Sequence, residues 1–147
     1  RINSVSSYKE KQILRPKDIA EILMERTRFE KQEILKVAML NNKNKLIRIK
    51  EIAKGGGNFV AATIRSILNE AVKIEAAKII LIHNHPTGDP TPSEADIHYT
   101  DKLYNAAMMF DIELMDHIVV GGSNFRSVFL ETAKLAELAR KKQKNEK

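Results

Sequence analysis

Residues 77–82, AKIILI, constrain the fold of this chain more than any other stretch. A short apolar run with adjacent β-branched residues suits a strand buried on both faces, inside a sheet that helices cover from both sides. Pro86 cannot donate a ladder hydrogen bond, so strand pairing is expected to stop there. Just before it, the run delivers two histidines, His83 and His85. Strand ends of α/β proteins are where ligand crevices form.

The flanking segments supply the layers. RPKDIAEILMER reads as a helix with Pro16 suited to its first turn and Ile19, Ile22 and Leu23 on one face. ILKVAML (34–40) is a buried strand, NNKN a turn, and KLIRIKEI (45–52) sets Ile47 and Ile49 against Arg48 and Lys50, so 34–52 reads as a hairpin. KGGGN (54–58) lacks the Walker spacing and reads as a turn rather than a phosphate cradle. The helix after it carries the stripe Val60, Ile64, Ile67, Leu68 and Ala71. A helix over 94–110 follows the histidines, with Ile97, Leu103, Tyr104, Ala107 and Met108 as its core face. ELMDHIVVG (113–121) and NFRSVFL (124–130) form a second hairpin turned through GGSN. The order is α-β-β-α-β-α-β-β-α, a mixed α/β sandwich.

A chain of 147 residues, 43% hydrophobic and 30% charged, has the composition of one globular domain. Residues 1–15 read as a linker or a remnant of a longer chain, since the sequence starts at Arg1. Residues 16–131 read as the domain and 132–147 as a basic C-terminal helix or tail. The chain has no cysteine, so disulfides and thiolate metal sites are excluded and a metal would need nitrogen and oxygen ligands. No apolar run approaches the ~20 residues that span a bilayer and no signal peptide is seen, which makes a cytoplasmic protein the default. The net charge is +6, and half of that excess sits in ETAKLAELARKKQKNEK. That distribution suits a solvated helix end better than a DNA-reading element, although nucleic acid stays open as a partner.

The chemistry concentrates in HNHPTGDPTPSEAD (83–96). Alternate side chains of a strand share a face, so His83 and His85 point the same way from positions about 6.6 Å apart. Two imidazoles and one carboxylate leave a fourth position open for water, as in catalytic zinc sites. Ser93 and Asp96 have a competing explanation. Serine at a helix N-cap with an acidic residue three positions on resembles a capping box, worth ~1 kcal/mol with no chemistry implied. His98 falls about 200° round the helix from Asp96 and is expected in solvent. His117 sits in an apolar strand and reads as a hydrogen-bonded core group or one supporting a ligand, rather than a ligand itself. Asp116 on the opposite face suits a structural hydrogen bond.

The same stretch resembles the JAMM metalloprotease signature, His-x-His-Pro followed by Ser-x-x-Asp, with ten residues between the second His and the Asp. With EILKVAMLNNKNKLI and MDHIVVGG, the chain is more narrowly similar to the bacterial RadC family over roughly residues 16–130. The resemblance implies a JAB1/MPN (cytidine deaminase-like) architecture, a mixed β-sheet flanked by helices. It further implies Zn²⁺ held by His83, His85 and Asp96, with Ser93 stabilising an oxyanion and an upstream glutamate as general base. Aligning EILKVAMLNNKN with the family's acidic residue, strand and Asn turn places that base at Glu33, with Glu30 a nearby competitor. Thr87, Gly88 and Asp89, in the loop to Thr91, would border the substrate. The expected activity is zinc-dependent hydrolysis of an amide or isopeptide bond in a protein or peptide. The alternatives are a DNA-repair-associated module with a nucleolytic or structural metal, and a catalytically idle interaction domain.

Overall fold

The computed structural model describes residues 11–27, 29–55 and 61–145. Its elements in chain order are α1 (Pro16–Thr27), β1 (Ile34–Leu40), β2 (Leu46–Lys54), α2 (Ala61–Lys73), β3 (Lys78–Asn84), α3 (Glu94–Met108), β4 (Glu113–Gly121), β5 (Asn124–Ser127) and α4 (Val128–Asn145). The AKIILI run lies within and just before β3, the middle strand of a five-stranded sheet ordered β2-β1-β3-β4-β5. β3 and β4 run parallel, with α3 as their crossover helix, and every other neighbouring pair is antiparallel. The sheet is mixed and helices cover both faces, as the sequence led one to expect.

Side-chain alternation along β3 builds two cores. Ile79 and Leu81 join Leu35, Val37 and Met39 of β1 under Ile67, Leu68 and Ala71 of α2 and Leu103 and Ala107 of α3. Ile80 and Ile82 join Ala38, Leu40, Ile118 and Val120 under Ile19, Ala20 and Leu23 of α1. Each of the Val, Leu, Ile and Met side chains contributes about 1.5–3 kcal/mol on burial. Both sets are needed, because a strand burying only one face would leave half of these residues in water. Ile13 also lies in the second core, and the Ile13 N–H bonds to the Asn44 carbonyl at 2.7 Å. The end of the segment read as a linker therefore packs on the domain; residues 1–10 lie outside the described residues. The NNKN turn forms as expected, with Asn44 at φ 62 and the Asn41 side chain accepting the N–H groups of Lys43 and Lys45. Of the glycine run, Gly55 takes φ 93, while residues 56–58 lie outside the described residues.

Two elements differ from the expectation. The second hairpin was expected to run to residue 130, but Val128 opens α4 instead. Ser127 Oγ accepts the Leu130 N–H and Asp116 accepts the Phe129 N–H, so two of the orphan donors of a helix start are satisfied there. In α3 the buried face is Asp96, Tyr99, Thr100, Leu103 and Ala107. Tyr104 and Met108, expected in the core, are exposed, and Tyr104 packs edge-on against Phe129 of α4. Two polar side chains, Asp96 and Thr100, occupy the stripe instead. Among the described residues no helix is long and apolar enough to cross a membrane.

Candidate metal centre

β3 carries His83 to the end of the sheet, and one further hydrogen bond, from the His85 N–H to the Val120 carbonyl (2.7 Å), extends the pairing to His85. Pro86 then ends it. The two rings converge, with His83 Nε2 and His85 Nε2 3.0 Å apart. Asp96, from the first turn of α3, sets Oδ1 3.3 Å from His83 Nε2 and Oδ2 3.1 Å from His85 Nε2. Glu33, just before β1, sets Oε1 3.4 Å from His83 Nε2. Antiparallel pairing of β1 with β3 puts Leu35 opposite His83, which brings Glu33 to residues fifty positions away in sequence.

These separations suit one small cation. Two ligands bound 2.0–2.1 Å from a tetrahedral centre lie about 3.3 Å apart. One atom each of Glu33, His83 and His85 lie within 4.8 Å of one another, and Asp96 contacts both histidines. His85 Nδ1 faces the Asp89 carbonyl at 2.9 Å, and a carbonyl can only accept, so Nδ1 carries the proton. In the neutral ring Nε2 then presents its lone pair to the other acceptors. Nitrogen and carboxylate lone pairs crowded in this way repel one another unless a positive charge lies among them. A proton on His85 can supply it. The Asp96 carboxylate draws the His85 pKa upward, against the effect of burial. Burial also opposes ionisation of Asp96, yet the hydrogen bonds that His83 and His85 donate when Nε2 carries a proton, together with the Ser93 N–H, hold its carboxyl well below the ordinary 3.8. The donor set fits a divalent metal ion of the kind that imidazole and carboxylate share.

Ser93 and Asp96 form the full capping box: the Asp96 N–H bonds to Ser93 Oγ at 3.0 Å and the Ser93 N–H to Asp96 Oδ2 at 2.8 Å. The capping reading of this pair holds, and the Asp96 carboxylate that the cap engages also lies against both histidines. Ser93 Oγ is an acceptor in the cap, and its own hydrogen remains on an exposed side chain. Thr87, Gly88 and Asp89 form an exposed loop beside His85. The Asp89 carboxylate is turned into the loop, where it accepts from the Thr91 N–H and hydroxyl. The loop rests on the end of β4: a Cβ on Gly121 would stand 2.6 Å from Pro90 N, 2.7 Å from Asp89 C and 2.8 Å from Gly88 O. His98 is exposed. Asp116 makes the structural hydrogen bonds expected of it, to Ser127 and to the backbone of His117 and Phe129.

Two supporting groups were not singled out from sequence. Asn84, 2% exposed, accepts the Ile34 N–H at 2.7 Å and donates to the Gln32 carbonyl at 3.0 Å, so it grips the chain on both sides of Glu33. A polar amide in a strand buried on both faces must find such partners, and that was the available signal. Thr100 is buried within hydrogen-bonding distance of His117, which in turn contacts His83. His117 is thus a core histidine that supports a candidate ligand; complete burial holds its pKa well below 6.5 and the ring neutral.

The fold and this convergence of imidazoles and carboxylates at its strand ends define an α/β domain of the JAB/MPN class with a candidate metal centre. The chain belongs to the RadC-like JAB domain family, which matches it over residues 13–134. It is 44% identical over 124 residues to a UPF0758 protein of Clostridium perfringens, covering 84% of this chain and 55% of the relative. Similar proteins include a UPF0758 protein of Clostridium tetani (40% over 128 residues; 87% of this chain, 56% of the relative) and one of Alkaliphilus metalliredigens (38% over 128 residues; 87% and 55%). The chain therefore spans about half the length of the curated relatives it matches.

Proposed function

We propose that this domain is a metal-dependent hydrolase that cleaves an amide or isopeptide bond in a protein or peptide. The reading is carried by one observation: His83 Nε2 lies within 3.0–3.4 Å of His85, Asp96 and Glu33. His83, His85 and Asp96 are assigned as ligands and Glu33 as the base. The capping box engages Asp96, whose side chain is 9% exposed, whereas the Glu33 side chain is 22% exposed on the chain entering β1. A base must reach both water and leaving group, and the more open carboxylate suits that task.

A divalent ion such as Zn²⁺ held by His83, His85 and Asp96 would supply Lewis acidity, lowering the pKa of water toward ~7. Glu33 accepts the proton of the attacking water and delivers it to the departing amine, and Asn84 holds the peptide units on either side of it. Ser93 donates its hydroxyl hydrogen to the developing oxyanion; removing one donor of this kind costs on the order of 10²–10³ in rate. Thr87, Gly88 and Asp89 line the approach of the substrate. A nucleolytic reading is less well supported, because phosphodiester hydrolysis favours carboxylate-rich sites with Mg²⁺ or paired metals.

Metal analysis of purified protein beside His83→Ala and Asp96→Ala tests the ligands. Near-stoichiometric zinc in the parent and its loss from both variants is expected; equal trace metal in all three would sink the reading. Glu33→Gln should keep the metal and lose turnover of isopeptide-linked peptide probes. An unchanged rate would move the base elsewhere. Steeply salt-dependent binding of duplex DNA without peptide turnover would favour the nucleic-acid alternative.

A further inference from the structure

We propose that Thr100 and His117 form a hydrogen-bond relay of fixed direction that holds His83 as its Nδ1–H tautomer and so presents the Nε2 lone pair to the metal site. The two are positioning residues, and the inference rests on the reading of His83 as a ligand.

The direction follows from one contact. Thr100 Oγ1 lies 2.6 Å from the Asp96 carbonyl oxygen. A carbonyl has only lone pairs to offer, so a contact this short needs the single hydroxyl hydrogen between the two oxygens. The same Oγ1 lies 2.6 Å from His117 Nδ1. With its hydrogen committed, the hydroxyl is the acceptor there, and Nδ1 must carry the proton. A second proton, on Nε2, would create a cation at a position 2% exposed with no carboxylate hydrogen-bonded to its ring among the described residues. His117 Nε2 is therefore an acceptor, and the group facing it at 2.6 Å, His83 Nδ1, is the donor. A neutral imidazole protonated on Nδ1 keeps its lone pair on Nε2.

The reverse direction would put a proton on His83 Nε2, between that nitrogen and the carboxylates of Asp96 and Glu33, and would block ligation. To reach it, Thr100 would have to abandon the Asp96 carbonyl. The relay thus begins and ends on one residue: the Asp96 carbonyl anchors Thr100, and Asp96 Oδ1 lies 3.3 Å from the nitrogen that the relay leaves unprotonated. A change in the first turn of α3 would disturb the carboxylate and the imidazole together.

Imidazole ¹⁵N resonances of the metal-free protein, recorded above the imidazole titration range, test the direction. His83 and His117 should both report the Nδ1–H form; an Nε2–H form of either in the parent protein overturns the relay. Zinc affinity by chelator competition gives the second readout. Thr100→Val and His117→Leu should lose about 10- to 100-fold, while Thr100→Ser and His117→Gln, whose Oε1 can accept from His83, should stay within about threefold of the parent. Parental affinity in Thr100→Val with unchanged His83 resonances overturns the proposal. Should a variant fail to fold, the parent's tautomers still decide. A parent that takes up no zinc yet shows both Nδ1–H forms would refute the metal reading and leave the relay standing.

Discussion

Replacing Gly121 with alanine probes how tightly the loop after His85 is held against the sheet. The nearest atoms a Cβ would meet are all backbone, and the closest, Pro90 N at 2.6 Å, is about 0.8 Å inside ordinary contact. Rotating a side chain cannot relieve such an overlap, so the loop must lift from β4. Overpacking of this kind costs about 1–3 kcal/mol. Lifting Asp89 also weakens the bond its carbonyl accepts from His85 Nδ1, about 1 kcal/mol more. For a domain of this size, a loss of about 2–4 kcal/mol lowers the melting temperature by roughly 10 °C. His85 would lose the carbonyl that orients its ring, so zinc affinity should drop about tenfold as well. Gly88→Ala is the control. Gly88 has φ +91, but a Cβ added there would meet nothing within 4 Å, so its cost is backbone strain alone, about 1–2 kcal/mol. Calorimetry and chelator titration of both variants decide the matter. A Gly121→Ala protein that melts with the parent and binds zinc equally would refute the idea that β4 holds the loop.

Other outcomes follow from the same contacts. Asn84→Asp keeps the acceptor for the Ile34 N–H but turns an oxygen toward the Gln32 carbonyl, and should cost about 1–3 kcal/mol in denaturant titration. A parental midpoint would show that the grip on Glu33 carries no energy. Ser93→Gly should cost only a few tenths of a kcal/mol, because glycine is a fair N-cap, and Ser93→Ala about 1 kcal/mol. Both should lose about 10²–10³ in turnover, and a glycine variant with full activity would remove Ser93 from the chemistry. In the metal-free protein, the raised His85 pKa adds stability that is full below 6.5 and lost as pH rises through the folded value. The lowered Asp96 pKa adds stability that is present above 3.8 and lost as pH falls through the folded value. The His85 and Asp96 contributions are both full between those limits, while His117, held neutral by burial, costs stability as pH falls below 6.5, so the His85 contribution is read as the difference between the parent and His85→Ala. His85→Ala should flatten the decline on the alkaline side; an identical decline in both proteins would argue against the pairing.

The order of elements was legible because patterning changes period cleanly along the chain. AKIILI suited a strand buried on both faces, and the alternation in KLIRIKEI marked a hairpin partner with one open face. The end of β5 was not legible, since VFL is as good a strand sequence as a helix start; the choice fell to Ser127 and Asp116, which satisfy N–H groups at a helix terminus. The face of α3 was misjudged for a related reason. Apolar spacing favoured Tyr104 and Met108, while the buried stripe is shared with Asp96 and Thr100, whose polar atoms are bonded inside. At the site, the histidines were visible from strand alternation. Ser93 and Asp96 looked locally like a cap, and they form one. Glu33 could not be located by spacing, because its place beside His83 is created by the pairing of β1 with β3. That same long-range pairing gives Asn84 its partners.

The parallel alignment of β3 with β4 makes α3 a bridge thrown from one end of the sheet to the other. Nine residues, 85–93, separate its first turn from the strand it leaves. An ion shared by His83, His85 and Asp96 would be a rivet at the near abutment of that bridge, joining strand to helix across the intervening loop. Loading the metal should therefore slow amide hydrogen exchange most in the opening turn of α3 and in residues 85–93. The far end of the helix, where Ala107 closes the span, should respond far less.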